Sequence, residues 1–120
     1  MEKSARDIMT TEVVTTTPYA TVAEVAAVLT ENSISGLPVV SAGEVVGIIS
    51  EADILTVAGD TVVESVMVSD VVSVGPDAAV GEIAKELADL GIKRVPVIDA
   101  TGNLLGIVSR ADIVAAMAAE

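Results

Sequence analysis

A chain of 120 residues, 52% hydrophobic and 20% charged, is long enough for one compact domain or two very small ones in contact, and too apolar for a disordered tail. Eighteen acidic against six basic residues give a net charge of −12, the wrong sign for a phosphate-backbone binder. With one Tyr and neither Phe nor Trp there is no platform for stacked bases, so nucleic-acid binding is disfavoured. The absence of Cys and His removes disulfides, cysteine zinc sites and histidine-based acid–base or triad chemistry. A binding or regulatory module is expected, not an enzyme. No apolar run approaches the roughly 18 residues of a membrane span. The N-terminal Met1-Glu2-Lys3-Ser4-Ala5-Arg6-Asp7 lacks the apolar core of a signal peptide. A soluble, cytoplasmic chain with no membrane contact is the expectation.

In chain order, a short β-branched run around Val13-Val14-Thr15 predicts a strand ahead of Pro18. Val22, Val25, Ala26 and Leu29 fall at i, i+3, i+4 and i+7, one apolar face of a helix, and Thr21 with Glu24 has the spacing of a capping box. Leu37 to Val40 and Val45 to Ile49, joined through Ala42-Gly43-Glu44, predict a β-hairpin. Ser50 then opens a helix over Glu51 to Val57. The connection from Ala58 to Val68 carries Thr61 and Glu64 at capping-box spacing, which predicts a short linker helix. The pattern then recurs: a strand at Val71-Val72-Ser73, a helix on Val80, Ile83, Ala84 and Leu87, a hairpin of Val95 to Ile98 and Leu104 to Val108, and a helix over Arg110 to Ala118. Ala79 stands where Thr21 stood, so the cap of this helix must come from elsewhere, Asp77 being the candidate.

The recurrence is a tandem duplication. Ile34-Ser35-Gly36-Leu37-Pro38-Val39-Val40 matches Ile92-Lys93-Arg94-Val95-Pro96-Val97-Ile98 at an offset of 58, as do Met9 and Met67, and Pro18 and Pro76. Beyond one inserted residue at the hairpin tip, Gly47-Ile48-Ile49-Ser50-Glu51-Ala52-Asp53-Ile54 matches Gly106-Ile107-Val108-Ser109-Arg110-Ala111-Asp112-Ile113. The expected repeats are 1–58 and 59–120, with the linker at about 58–68. A copy of about 55 residues buries little core alone, so two copies packed sheet to sheet around one shared core of small branched residues are expected.

The repeated Ser-x-x-Asp elements, Ser50 with Asp53 and Ser109 with Asp112, have two readings. Ser-x-x-Asp at a helix start is a capping-box variant. Equally, the carboxylate can accept the hydroxyls of a ribose diol while the helix start faces phosphate. Lys93 and Arg94 supply two of the six basic residues; they are either a solvated pair at a strand entrance or the local positive charge an anion needs on an acidic chain. Arg110 is a third such residue. Val13, Val14, Leu37 and Pro38 in one half, and Val71, Val72, Val95 and Pro96 in the other, are either core residues or the apolar walls of a base site. Tyr19 is read as a partly exposed turn residue in preference to a stacking residue, and Glu82, Lys85, Glu86 and Asp89 as a solvated helix face in preference to a metal or acid–base site. No catalytic or metal-ligating constellation can be named.

The set Asp7-Ile8-Met9, Ile34 to Val40 and Gly47 to Ile54, echoed in the second half, resembles a tandem CBS-domain pair over essentially the whole chain. The resemblance implies an α/β (α+β) fold of two β-α-β-β-α repeats related by a pseudo-two-fold. It also implies clefts between the repeats for adenosine-containing ligands: AMP, ADP, ATP or S-adenosylmethionine, as a regulatory ligand and not a cofactor. It makes Asp53 and Asp112 ribose-binding positions, places Ser50 and Ser109 near phosphate, and sends the basic residues at 93 and 94 toward phosphate. Such modules regulate an attached or partner protein and commonly form flat dimers, so a homodimer with an unidentified regulated partner is expected. The alternative is a structural dimerisation module with no physiological nucleotide ligand.

Overall fold

The computed structural model describes residues 2–119. Its elements are α1 (Ala5–Ile8), α2 (Val22–Asn32), β1 (Gly36–Ser41), β2 (Glu44–Ser50), α3 (Glu51–Ile54), a 3-10 turn (Val63–Ser65), α4 (Val80–Leu90), β3 (Arg94–Ile98), β4 (Leu104–Ser109) and α5 (Arg110–Ala118). The strands form two antiparallel hairpins, β1–β2 and β3–β4. The registers correspond: Leu37 opposes Ile49 as Val95 opposes Val108, and each hairpin has an irregularity at the same place, after Val39 and after Val97. The length difference sits in the turns. Ala42 and Gly43 both have positive φ, 51° and 81°, which gives the twist that a two-residue hairpin loop needs. In the other turn the Asp99 carboxylate accepts from Thr101 N–H and Oγ1 and from Asn103 N–H and Nδ2. The Thr101 hydroxyl and the Asn103 N–H lead in holding Asp99 well below the usual carboxylate range, at about 2.

By packing, the chain forms two compact units that cut across the division by sequence similarity. One comprises the residues up to Val13 together with those from Val72 onward; the other runs from Val14 to Val71. Each has a buried cluster of its own. In the first unit it is Ala5, Ile83, Leu87, Val95, Val97, Val108 and Ile113; in the second it is Val25, Leu29, Leu37, Val39, Ile49 and Val63. Each unit's buried cluster is thus its own, closed by the segment leading into the opposite repeat. Ala5 and Val63 are the buried residues those segments contribute, both fully buried.

The leading segments also cap the helices. The Val22 N–H donates to the Thr61 carbonyl and the Ala23 N–H to that of Gly59, while Thr21 accepts from the Glu24 N–H as expected. At α4 the Val80 N–H donates to the Lys3 carbonyl and the Gly81 N–H to Glu2 Oε1, a carboxylate well placed at the positive end of a helix. Asp77 does not cap α4; it pairs with Arg6 at 2.9 Å.

Three further expectations are corrected. The runs at Val13-Val14-Thr15 and Val71-Val72-Ser73 are not strands; the parallel pairing is a single bridge a residue later, Thr16 to Val39 and Val74 to Val97. Pro18 and Pro76, two residues on, have no N–H with which to continue a ladder. The helix after Ser50 ends at Ile54, not Val57, because the β-branched Thr56 and Val57 and then Gly59 follow; its counterpart, rich in Ala, does run to Ala118. The linker helix is one 3-10 turn without a side-chain cap. No helix among the described residues is long and apolar enough to cross a membrane.

Candidate functional site

Each unit has a corner where the first strand of its hairpin begins, the second ends and the closing helix starts. Arg94 opposes Ser109 across β3–β4, and Gly36 opposes Ser50 across β1–β2. One backbone bond ties each corner: Arg110 N–H to the Lys93 carbonyl at 3.0 Å, and Glu51 N–H to the Ser35 carbonyl at 2.9 Å. Lys93, Arg94, Ser109, Arg110 and Asp112 are thereby brought to one corner, and Ser50 and Asp53 to the other. Val14 and Val72 are half-buried near the start of their repeats. Leu37, Pro38, Val95 and Pro96 are almost wholly buried, with Leu37 and Val95 in the two cores.

The serine–aspartate geometry is the same at both corners. Ser50 N–H and Oγ donate to Asp53 Oδ2 at 2.8 and 3.1 Å; Ser109 N–H and Oγ donate to Asp112 Oδ2 at 2.9 and 3.1 Å. A third box, unremarked in the sequence, repeats it: Ser4 N–H and Oγ donate to Asp7 Oδ2 at 2.8 and 3.1 Å, and the Ser4 N–H leads in lowering the Asp7 carboxyl below its ordinary value. Capping therefore accounts for Oδ2 in all three. What sets Asp53 and Asp112 apart is their setting: both are half-buried beside a strand pair, whereas Asp7 is exposed.

The corners differ in charge. Three cations, Lys93, Arg94 and Arg110, accompany Asp112; the matching positions in the other half are Ser35, Gly36 and Glu51. Arg110 is steered by its Nε donating to the Ile92 carbonyl at 3.1 Å. One further residue reaches the first corner. The leading segment bridges β4 through Thr10 N–H to the Ile107 carbonyl at 2.8 Å and Ile107 N–H to the Thr10 carbonyl at 3.0 Å, and Thr10 Oγ1 lies 3.4 Å from Asp112 Oδ1. Thr10 escapes a reading by repeats because its counterpart at the offset of 58 is Val68.

Elsewhere, Tyr19 is 75% exposed, and Lys85 pairs with Asp89 at 3.1 Å on an open helix face, as expected. No group of metal-ligating side chains occurs among the described residues.

Comparison with known proteins returns one family. Its description is the CBS domain, and its model matches residues 5–60 and again 63–119. The chain is 34% identical over 116 residues to the CBS domain-containing protein YhcV of Bacillus subtilis, covering 92% of this chain and 82% of that one. It is 32% identical over 112 residues to inosine-5′-monophosphate dehydrogenase of Korarchaeum cryptofilum, of which it spans 24%. Among solved structures it is similar to the CBS domain pair of protein MJ0100 in complex with 5′-methylthioadenosine and S-adenosyl-L-methionine, with TM-score 0.92, 27% identity, and 99% and 98% of the two chains covered. It is also similar to CBSX2 in complex with AMP, with TM-score 0.89, 27% identity, and 97% and 96% covered.

Proposed function

We propose, since this chain belongs to the CBS-domain family as a tandem pair, that it is a regulatory module that binds an adenosine-containing ligand and passes its occupancy to a partner protein. The observation that carries this reading is the repeated corner. Asp53 and Asp112 each spend one carboxylate oxygen on the cap, which leaves the other oxygen for ligand hydroxyls. Relatives of the same fold are described with AMP and with adenosyl ligands. The three cations beside Asp112 favour phosphate there, because on a chain of net charge −12 an anion needs compensating charge at the site itself. Beside Asp53, Glu51 adds a second carboxylate, which favours an adenosyl group without phosphate.

A ligand that binds only the folded protein raises its melting temperature, by about 2.7 kcal/mol of stabilisation at 100 times the dissociation constant. A thermal-shift panel of AMP, ADP, ATP, S-adenosylmethionine and 5′-methylthioadenosine is expected to give a rise with at least one of them. No shift with any of the five up to millimolar concentration would overturn the reading.

The module is also proposed to self-associate. Val114 and Met117 are each 64% exposed on a helix whose other exposed residues past its first turn are alanines, a face that a second copy would cover. Val114→Glu is expected to yield a monomer in sedimentation velocity while the unsubstituted protein sediments as a dimer. A monomeric unsubstituted protein at high micromolar concentration would contradict it.

A further inference from the structure

We infer that the junction bearing Tyr19, Val62 and Glu64 is a docking surface for a basic segment of a partner protein, whose arginine pairs with Glu64 and lies on the Tyr19 ring. The inference rests on the proposed regulatory reading only in that such a module has a partner; it gives that partner a chemistry, whichever ligand is bound. All six basic residues of the chain lie outside Val14–Val71, yet that unit carries eight carboxylates. None of the eight has a cation in its own unit to pair with, so the field of this unit attracts positively charged partners and repels anionic ones. Tyr19, Leu55, Val62 and Val68 are all exposed in the same unit, so apolar contact area accompanies the charge.

The other unit shows what this junction lacks. Glu64 N–H donates to the Pro18 carbonyl at 3.0 Å and Val63 N–H to that of Ala20 at 2.8 Å. In the other unit Arg6 N–H donates to the Pro76 carbonyl at 3.0 Å and Ala5 N–H to that of Ala78 at 2.9 Å. The backbone is thus the same in both, and the offset of 58 puts Glu64 in the place of Arg6 and Tyr19 in the place of Asp77. Arg6 and Asp77 satisfy one another as an ion pair at 2.9 Å. A carboxylate and a phenol ring cannot; Tyr19 is 75% exposed and Glu64 is exposed as well. Both favour a cation instead. The carboxylate takes a guanidinium through charge-assisted hydrogen bonds, and the face of the ring attracts it. Arginine suits the pair better than lysine, because its planar group can pair and stack at once. Val62, two residues before Glu64 and 44% exposed, offers an apolar contact to a neighbour of that arginine.

The test is a titration followed by backbone amide NMR shifts, with a blocked pentapeptide that holds arginine between two leucines and with its neutral citrulline counterpart. The arginine peptide is expected to move the amides of residues 19–21 and 62–65, and the citrulline peptide to leave them in place. Tyr19→Ala and Glu64→Gln, both at exposed positions, should each weaken the arginine peptide about 2- to 5-fold, the effect of one exposed cation–π contact or ion pair. Glu31→Gln removes the same charge from an exposed position of α2 in the same unit and should leave binding unchanged. Equal weakening by Glu31→Gln and Glu64→Gln would mean attraction by overall charge alone and overturn the inference. Shifts confined to other residues, or none at millimolar peptide, would overturn it too. A dimer of the unsubstituted protein that Tyr19→Ala dissociates would assign the surface to a second copy, and so also overturn it. None of these outcomes bears on adenosine binding, which the thermal-shift panel tests separately.

Discussion

Gly106→Ala is expected to destabilise the protein by about 2–3 kcal/mol, the upper part of the range for forcing a methyl group into a filled space. A Cβ at this position would stand 2.7 Å from the Thr10 carbonyl oxygen and 2.8 Å from Met9 Sδ. The methionine can turn aside. The carbonyl cannot, because it accepts the Ile107 N–H in the double bond that seats the leading segment on β4. The same holds in weaker form for Gly47, whose Cβ would meet Met67 Sδ at 2.6 Å and the Val68 carbonyl at 3.0 Å. Gly75 is the control, since nothing lies within 4 Å of its Cβ, and Gly75→Ala should change stability by less than about 0.5 kcal/mol. Urea unfolding of the three variants measures this; a Gly106→Ala midpoint equal to that of Gly75→Ala would contradict the account of how the leading segments close the units.

That contact also explains a pairing visible in the sequence but not interpretable there. Met9 and Met67, and Gly106 and Gly47, recur together because each methionine lies over a glycine of the opposite repeat's hairpin. What was legible was local. The i, i+3, i+4, i+7 spacing located α2 and α4, and the alternation of branched residues with turn residues located both hairpins. What was not legible depends on distant partners. The cap of α4 comes from Glu2 and Lys3, some 77 residues away in the chain, and no local pattern could separate that from a cap by Asp77. The short length of α3 follows from Thr56 and Val57, whose low helix propensity is visible in sequence but is often overridden by packing. At the candidate site the serine–aspartate elements were legible as residues but not as function. Ser4 and Asp7 show the same bonds at an exposed helix start, so the box by itself is not the mark of a ligand.

This third box supplies the control for the second large prediction. Asp7→Ala, Asp53→Ala and Asp112→Ala each remove a carboxylate that accepts the N–H and Oγ of its capping serine, so each should lower the melting temperature. Only the latter two should touch ligand binding. A charge-assisted hydrogen bond to a ligand is worth about 1.5–3 kcal/mol, so Asp112→Ala should weaken AMP by one to two orders of magnitude, given the cations at 93, 94 and 110 that favour phosphate at this corner. Asp53→Ala should have the smaller effect on AMP, because its corner has Glu51 in place of a cation. The most direct measurement is therefore calorimetric titration of AMP into the unsubstituted protein and the three variants at one temperature well below their melting points. The account predicts unchanged affinity in Asp7→Ala and the largest loss in Asp112→Ala; equal affinity in all four proteins would reduce Asp53 and Asp112 to helix caps and contradict it.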